Sequence, residues 1–202
     1  TVTITNADYT VAQLKTINTV TTGTITLNTT NVALSGTSSD LALAFAGTIT
    51  THTGTIGITN ADYTVAQLKT INAASTGAIT FTTATTALSD TSSNLAVALN
   101  GTTNHNAAVT VTNADYTAAE LATINNGTAG AITLNTTNTA LSGTAANLAA
   151  AFTGTVTEHT GTVTITDAPS VAELKTINAG TTGAITLDVT NGALSGTAAD
   201  LV

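Results

Sequence analysis

Three histidines, His52, His105 and His159, recur along the 202-residue chain at intervals of 53 and 54 residues. Histidine is the commonest metal ligand and the side chain that titrates nearest to neutral pH, so such a column could form a ladder of metal ligands. If successive copies lie two strand spacings apart, the rings are about 9–10 Å from one another. One zinc ion holds its ligands at about 2.0–2.1 Å, so neighbouring rungs cannot share it. The column therefore reads as a loop residue copied with a repeat. A second column, Asp8, Asp62 and Asp115, gives way to Pro169 in the last copy. Each carboxylate lies two positions before a helix cap, where it favours the positive end of the helix dipole. Acid–base catalysis needs two carboxylates in one cleft, and this spacing offers one at a time. Glu158, beside His159, has no copy elsewhere. There is no nucleophile elbow, no phosphate loop and no cysteine, so the expectation is a protein that is not an enzyme, with no catalytic residues, no metal site and no cofactor.

Composition excludes further classes. Lys+Arg number 3 against 11 Asp+Glu, charged residues make up 7%, and 53 residues are threonine. Three cations cannot neutralise a run of phosphates, which argues against nucleic-acid binding. No apolar stretch approaches the roughly 20 residues of a membrane helix, so no membrane insertion is expected. A hydrophobic share of 42% can bury surface, which argues against disorder.

The chain is built from copies of itself. TVTITNADYTVAQLKTIN from Thr1 returns from Thr55, Ala108 and Thr162, at offsets of 54, 53 and 54 residues. A second motif, TITLNTTNVALSGTSSDLALAF from Thr24, returns from Ala78, Ala131 and Ala184. The repeats are residues 1–54, 55–107, 108–161 and, incomplete, 162–202. Val2 and Ile4 alternate with Thr1, Thr3 and Thr5, the pattern of a strand with one apolar face. Ile25 and Leu27 do the same. A capping box follows the first strand, Thr10 with Gln13, Thr64 with Gln67, Thr117 with Glu120 and Ser170 with Glu173. Tyr9, Tyr63, Tyr116 and Pro169 precede these caps, and Leu14, Leu68, Leu121 and Leu174 follow, as hydrophobic staples. Thr37, Thr91, Thr144 and Thr197 cap a second helix rich in Leu and Ala. Each repeat thus reads strand–helix–strand–helix. The expected fold is α/β, one continuous βα solenoid of tandem repeats, a parallel sheet of roughly eight strands with helices on one face. The segment from Gly47, and its copies from Gly101 and Gly154, reads equally as a short strand or a loop.

Stacked in register, the outward strand positions would align Thr3, Thr26, Gly57, Thr80, Thr110, Thr133, Thr164 and Thr186 at about 4.8 Å. Such a Thr-x-Thr lattice is similar to the ice-binding face of antifreeze solenoids, and these seven threonines are the candidate binding surface. Threonine is equally a means of making a strand face soluble without charge. Asn28, Asn100, Asn126 and Asn135 begin Asn-x-Thr sequons, which a threonine-rich chain also produces by chance. The chain begins within a strand and ends within a helix, with no polar capping repeat. That favours self-association end to end, or further copies of the same repeat in a longer chain.

The phrases VTITNADYTVAQLKTIN, ALSGTAANLAAAF and VTITDAPSVAELKTIN resemble the Thr/Ala-rich repeats of very large secreted or cell-surface bacterial proteins, in cyanobacteria and proteobacteria, some of which carry calcium-binding nonapeptides elsewhere. That nonapeptide is absent here, so calcium does not carry over. The resemblance implies an extracellular structural or adhesive role, as a rod, filament, surface layer or adhesin stalk. The alternative is a threonine face that binds ice or another ligand.

Overall fold

The computed structural model describes residues 1–82, 85–187 and 194. The fold is α/β, with strands and helices in alternation and every strand pairing parallel. The first repeat gives β1 (Val2–Ile4), α1 (Val11–Val20), β2 (Ile25–Leu27), β3 (Leu34–Gly36) and α2 (Ser38–Ala44). The second gives β4 (Ile56–Ile58), α3 (Val65–Ala73), β5 (Ile79–Phe81), β6 (Leu88–Asp90), α4 (Ser92–Leu99) and β7 (Thr102–Thr103). The third gives β8 (Val109–Val111), α5 (Ala118–Gly127), β9 (Ile132–Leu134), β10 (Leu141–Gly143) and α6 (Ala145–Phe152). The fourth gives β11 (Val163–Ile165), α7 (Val171–Gly180) and β12 (Ile185–Leu187). The helix expected after Thr197 lies outside the described residues.

Two expectations are corrected. The described residues hold twelve strands rather than eight, because Leu34–Gly36, Leu88–Asp90 and Leu141–Gly143 are strands and Thr102–Thr103 adds another. Nor is there one continuous sheet. The strands form separate small sheets in the orders β1-β2, β3-β4-β5-β7, β6-β8-β9 and β10-β11-β12. The reason lies in the third strand of each repeat. After β2 the chain does not return to the same sheet but enters β3, which opens a new one. The strands of the next repeat, β4 and β5, then extend that new sheet. Each larger sheet consequently crosses a boundary between sequence repeats. The ambiguous segment is a two-residue strand in the second repeat and two isolated parallel bridges in the first and third, Ile25 to Ile49 with His52 to Ser75, and Ile132 to Val156 with His159 to Thr181.

Local chemistry explains the elements. All four capping boxes form, with each Thr or Ser side chain accepting from the N3 amide and each Gln or Glu reaching back to the cap. At the second helices the Thr37, Thr91 and Thr144 side chains accept from the N3 amides of Asp40, Asn94 and Asn147. The alternating strand residues point Ile56, Ile58, Val109, Val111, Val163 and Ile165 into one core with Leu14, Leu68 and Leu121, all fully buried. Each tyrosine is buried and also tied at its hydroxyl. Tyr9 Oη donates to the Thr29 carbonyl at 2.7 Å and Tyr116 Oη to that of Thr136 at 2.6 Å, while Tyr63 Oη accepts from the Thr86 amide at 3.0 Å.

Close approach between neighbouring passes of the chain needs glycine at one place. A Cβ on Gly77 would sit 1.8 Å from the Gly54 carbonyl oxygen, and one on Gly130 equally close to that of Ala107. Both sides of this contact are backbone, so no side chain can yield. Gly77→Ala should therefore cost about 3 kcal/mol or more in denaturant unfolding. Gly101→Ala, where the added Cβ meets nothing within 4 Å and only the positive φ of 68° is strained, should cost about 1–2 kcal/mol. Equal costs at the two positions would contradict the close-packing account.

Candidate functional site

The outward threonines come first, because the sequence singles them out. Register places Thr3 beside Thr26, Gly57 beside Thr80, Thr110 beside Thr133, and Thr164 beside Thr186. They are exposed or half-buried. Since the sheets are separate, the eight positions do not form one column. They form four short ones. Three open on serine: Ser35–Gly57–Thr80–Thr103, Ser89–Thr110–Thr133 and Ser142–Thr164–Thr186. Part of the hydroxyl capacity is used internally. Thr164 and Thr186 hydroxyls bond each other at 3.0 Å, and Thr80 Oγ1 donates to the Ile56 carbonyl at 3.3 Å.

The histidines are not loop residues exposed to solvent. His52, His105 and His159 are buried. His105 Nδ1 bonds Thr128 Oγ1 at 2.7 Å and its Nε2 bonds the Thr86 carbonyl at 3.2 Å. His159 repeats this with Thr181 at 3.4 Å and the Thr139 carbonyl at 2.8 Å. Aromatic rings pack around them, Phe81 and Tyr63 against His105, Phe152 and Tyr116 against His159, Phe45 against His52. Neither nitrogen of His52 has a partner of good hydrogen-bond geometry. Among the described residues no three His, Asp or Glu side chains gather where they could hold a metal ion. The imidazoles of His105 and His159 bridge passes of the chain. Burial pushes all three below the usual imidazole range, against the weaker pull of nearby carbonyls at Thr86, at Val32 and Gly54, and at Thr139 and Gly161.

The most elaborate polar arrangement joins successive helices, and sequence reading missed it. A helix leaves its first N–H and last C=O groups without internal partners. At the start of α2 and α4, the Ser38 and Ser92 amides donate to Asn60 Oδ1 and Asn113 Oδ1, both at 2.7 Å. These asparagines belong to the following repeat. Their Nδ2 groups donate to Ser38 Oγ and Ser92 Oγ at 3.0 Å, and those hydroxyls donate to Gln67 and Glu120 of the next capping box at 3.0 and 2.9 Å. Both serines are buried. At the other end, Asn72 Nδ2 donates to the Val97 and Asn100 carbonyls, each at 2.6 Å, and Asn125 Nδ2 to that of Ala150 at 2.7 Å. Asn18 bonds the Leu43 carbonyl at 2.9 Å. The Ile-Asn pair ending each first motif was the available signal.

The aspartate column acquires a different role from the dipole effect expected of it. Asp62 and Asp115 accept from Asn60 Nδ2 and Asn113 Nδ2 at 2.5 and 2.7 Å, which orients each amide toward its serine. That bond, then their own backbone amides, holds both carboxyls below the usual carboxylate range. The last junction changes as a unit. Ala145 replaces the serine, Asp167 replaces the asparagine, and Pro169 stands where the other copies have Asp-Tyr, in a segment one residue shorter. Asp167 still accepts from the Ala145 amide at 2.7 Å. It has no amide to donate, so it needs no serine, and a neighbouring carboxylate would repel it.

What these groups can do chemically is close helix ends and tie passes of chain together. A surface depression between Asn104, Asn106 and Asn126 contains no carboxylate, lysine or cysteine in its lining. Comparison with protein-family models, curated proteins and solved structures finds no match for this chain.

Two outcomes are expected. An imidazole whose folded pKa is depressed binds fewer protons in the folded than in the unfolded state at mildly acid pH. Its stabilising effect is complete above the unfolded pKa of about 6.5 and is lost as pH falls through that value. Urea unfolding should thus weaken from pH 7 to pH 5, and His105→Gln should flatten part of that slope. A slope unchanged by the substitution would remove the histidines as its source. At pH 7, Asn113→Asp should cost about 1 kcal/mol less in an Asp115→Ala background than with Asp115 present. Strict additivity would break the proposed coupling.

Proposed function

We propose that the chain is a structural, non-enzymatic repeat protein, an α/β solenoid of tandem repeats. Its role is to form a rod, filament, surface layer or adhesin stalk at the cell surface or outside the cell. The observation that carries this reading is the junction chemistry. Asn60 and Asn113 spend their bonds on the helix starts of the preceding repeat, while Asn72 and Asn125 close the end of the second helix within their own repeat. Machinery of that kind serves propagation, since each repeat supplies the caps that its predecessor lacks. The pairing pattern supports the solenoid, because segments about two dozen residues apart join side by side and each helix packs on the next. Low charge and an acidic balance suit a secreted chain, and so does the Thr/Ala-rich character of its repeats. Further copies of the repeat, or a second chain end to end, are the partners this reading requires. No helix among the described residues is long and apolar enough to cross a membrane.

A second reading, a threonine face that binds ice, draws on the side-by-side placement of Thr3 with Thr26 and Thr164 with Thr186. Its lattice would be only two to four rungs deep in each column. Electron microscopy of native material tests the first reading. Filaments or lattices with an axial period near two strand spacings, about 9.6 Å, are expected, and monodisperse short particles would contradict it. Thermal hysteresis by the purified chain, with ice shaping, would favour the second reading instead.

A further inference from the structure

Three half-buried side chains in the second repeat stand in a relation that no other described repeat shows. Lys69 on α3 donates through Nζ to Oδ1 of Asn94 on α4. Asn94 Nδ2 in turn donates to Asp90 Oδ1 at 2.8 Å. Asp90, the last residue of β6, is fixed by the Thr91 amide at 2.7 Å. An amine therefore touches one end of a carboxamide while a carboxylate touches the other.

The corresponding positions elsewhere sharpen the point. In the first repeat Lys15 meets a carboxylate, Asp40, in an ion pair of 2.5 Å, and the position of Asp90 is Gly36. In the third repeat the lysine is Ala122, the amide is Asn147, and the acid is Gly143. In these three repeats an acid stands at this strand end only where a lysine faces an amide.

We propose that Lys69 and Asn94 become joined by an intramolecular isopeptide bond, with Asp90 as the proton carrier. The unprotonated amine of Lys69 attacks Cγ of Asn94, forming the new N–C bond and a tetrahedral centre. Water takes one proton from Nζ as the N–C bond forms and gives one to the Asp90 carboxylate, which accepts from Nδ2 before the reaction and now passes that proton to Nδ2. The Cγ–Nδ2 bond then breaks and ammonia departs. One amine and one primary amide yield one secondary amide and one ammonia, with no oxidant, reductant or cofactor. Fixed geometry supplies the rate. Well-oriented intramolecular pairs reach effective molarities of about 10⁵–10⁸ M. The loss of ammonia makes the step irreversible, so a slow reaction suffices. The product would tie α3 to α4 across 25 residues of chain, restricting the unfolded ensemble as a disulfide does. This inference does not depend on the structural role proposed above.

Intact-mass spectrometry of the folded 202-residue chain, after incubation at mildly alkaline pH, tests it. The expected mass is that of the sequence less one ammonia, with a branched peptide linking Lys69 to Asn94 after proteolysis. Lys69→Arg and Asn94→Ala should restore the full mass, and Asp90→Asn should slow the loss at least tenfold, with circular dichroism checking that each is folded. If a variant does not fold, the search for the branched peptide in the parent chain decides alone. Full mass in a folded parent chain would overturn the proposal. So would an ammonia loss mapped to a linear succinimide at Asn100–Gly101 or Asn126–Gly127. A parental rate in Asp90→Asn would remove Asp90 from the step.

Discussion

Short helices have unfavourable ends. Roughly four N–H and four C=O groups at the termini of each helix lack internal partners, and in a helix of seven or eight residues, such as α2 or α4, those groups are most of the backbone. Everything else in this structure depends on how they are satisfied. The residue at the cap, Thr37 or Thr91, meets one of the orphan amides. The next repeat meets others through Asn60 and Asn113, and the preceding first helix meets the carbonyls through Asn18 and Asn72. A second helix is therefore closed only when its neighbours on both sides are in place. The helix carries its own pattern, but its termination is a property of the stack.

The same logic accounts for the sheets. A strand of three residues offers few ladder bonds, and none of these sheets has more than four strands. Because each new sheet opens with a strand of one repeat and continues with strands of the next, the ladders bind the repeats across their boundaries. The buried histidines strengthen this binding with polar contacts inside an aromatic setting, where Thr128 and Thr181 meet one ring nitrogen and backbone carbonyls meet the other. A buried polar group is tolerated when hydrogen-bonded, and two of the three histidines satisfy that requirement in full. Glycines at 77, 130 and 183 let the backbones approach closely enough for the arrangement to close.

Much of this was legible in the sequence. The repeat spacing, the first two strands, both helices and every capping box follow from local pattern, because they depend on residues within a few positions of one another. What was not legible involves partners about 20 to 28 residues away. Leu34–Gly36 carries no strand signal of its own, since its Ser-Gly ending lacks β-branched residues, and its pairing with β4 makes it a strand. Asp62 and Asp115 stand where a helix dipole accounts for them well enough, and their bond to Asn60 and Asn113 appears only once the preceding serine is placed. The threonine column was drawn on the premise of one sheet. Four sheets divide it, and no local feature of Thr80 or Thr110 announces the division.

The central claim is that the next repeat closes the start of each second helix, and hydrogen exchange at single amides tests it most directly. In the parent chain the Ser92 amide, bonded to Asn113 Oδ1 at 2.7 Å, should exchange slowly although it is the first residue of its helix. In Asn113→Ala it should exchange at least about tenfold faster, the equivalent of 1.4 kcal/mol or one strong hydrogen bond, while the Leu121 amide in α5 changes far less. A Ser92 amide that exchanges freely in the parent chain, or equally slowly in the variant, would contradict the account.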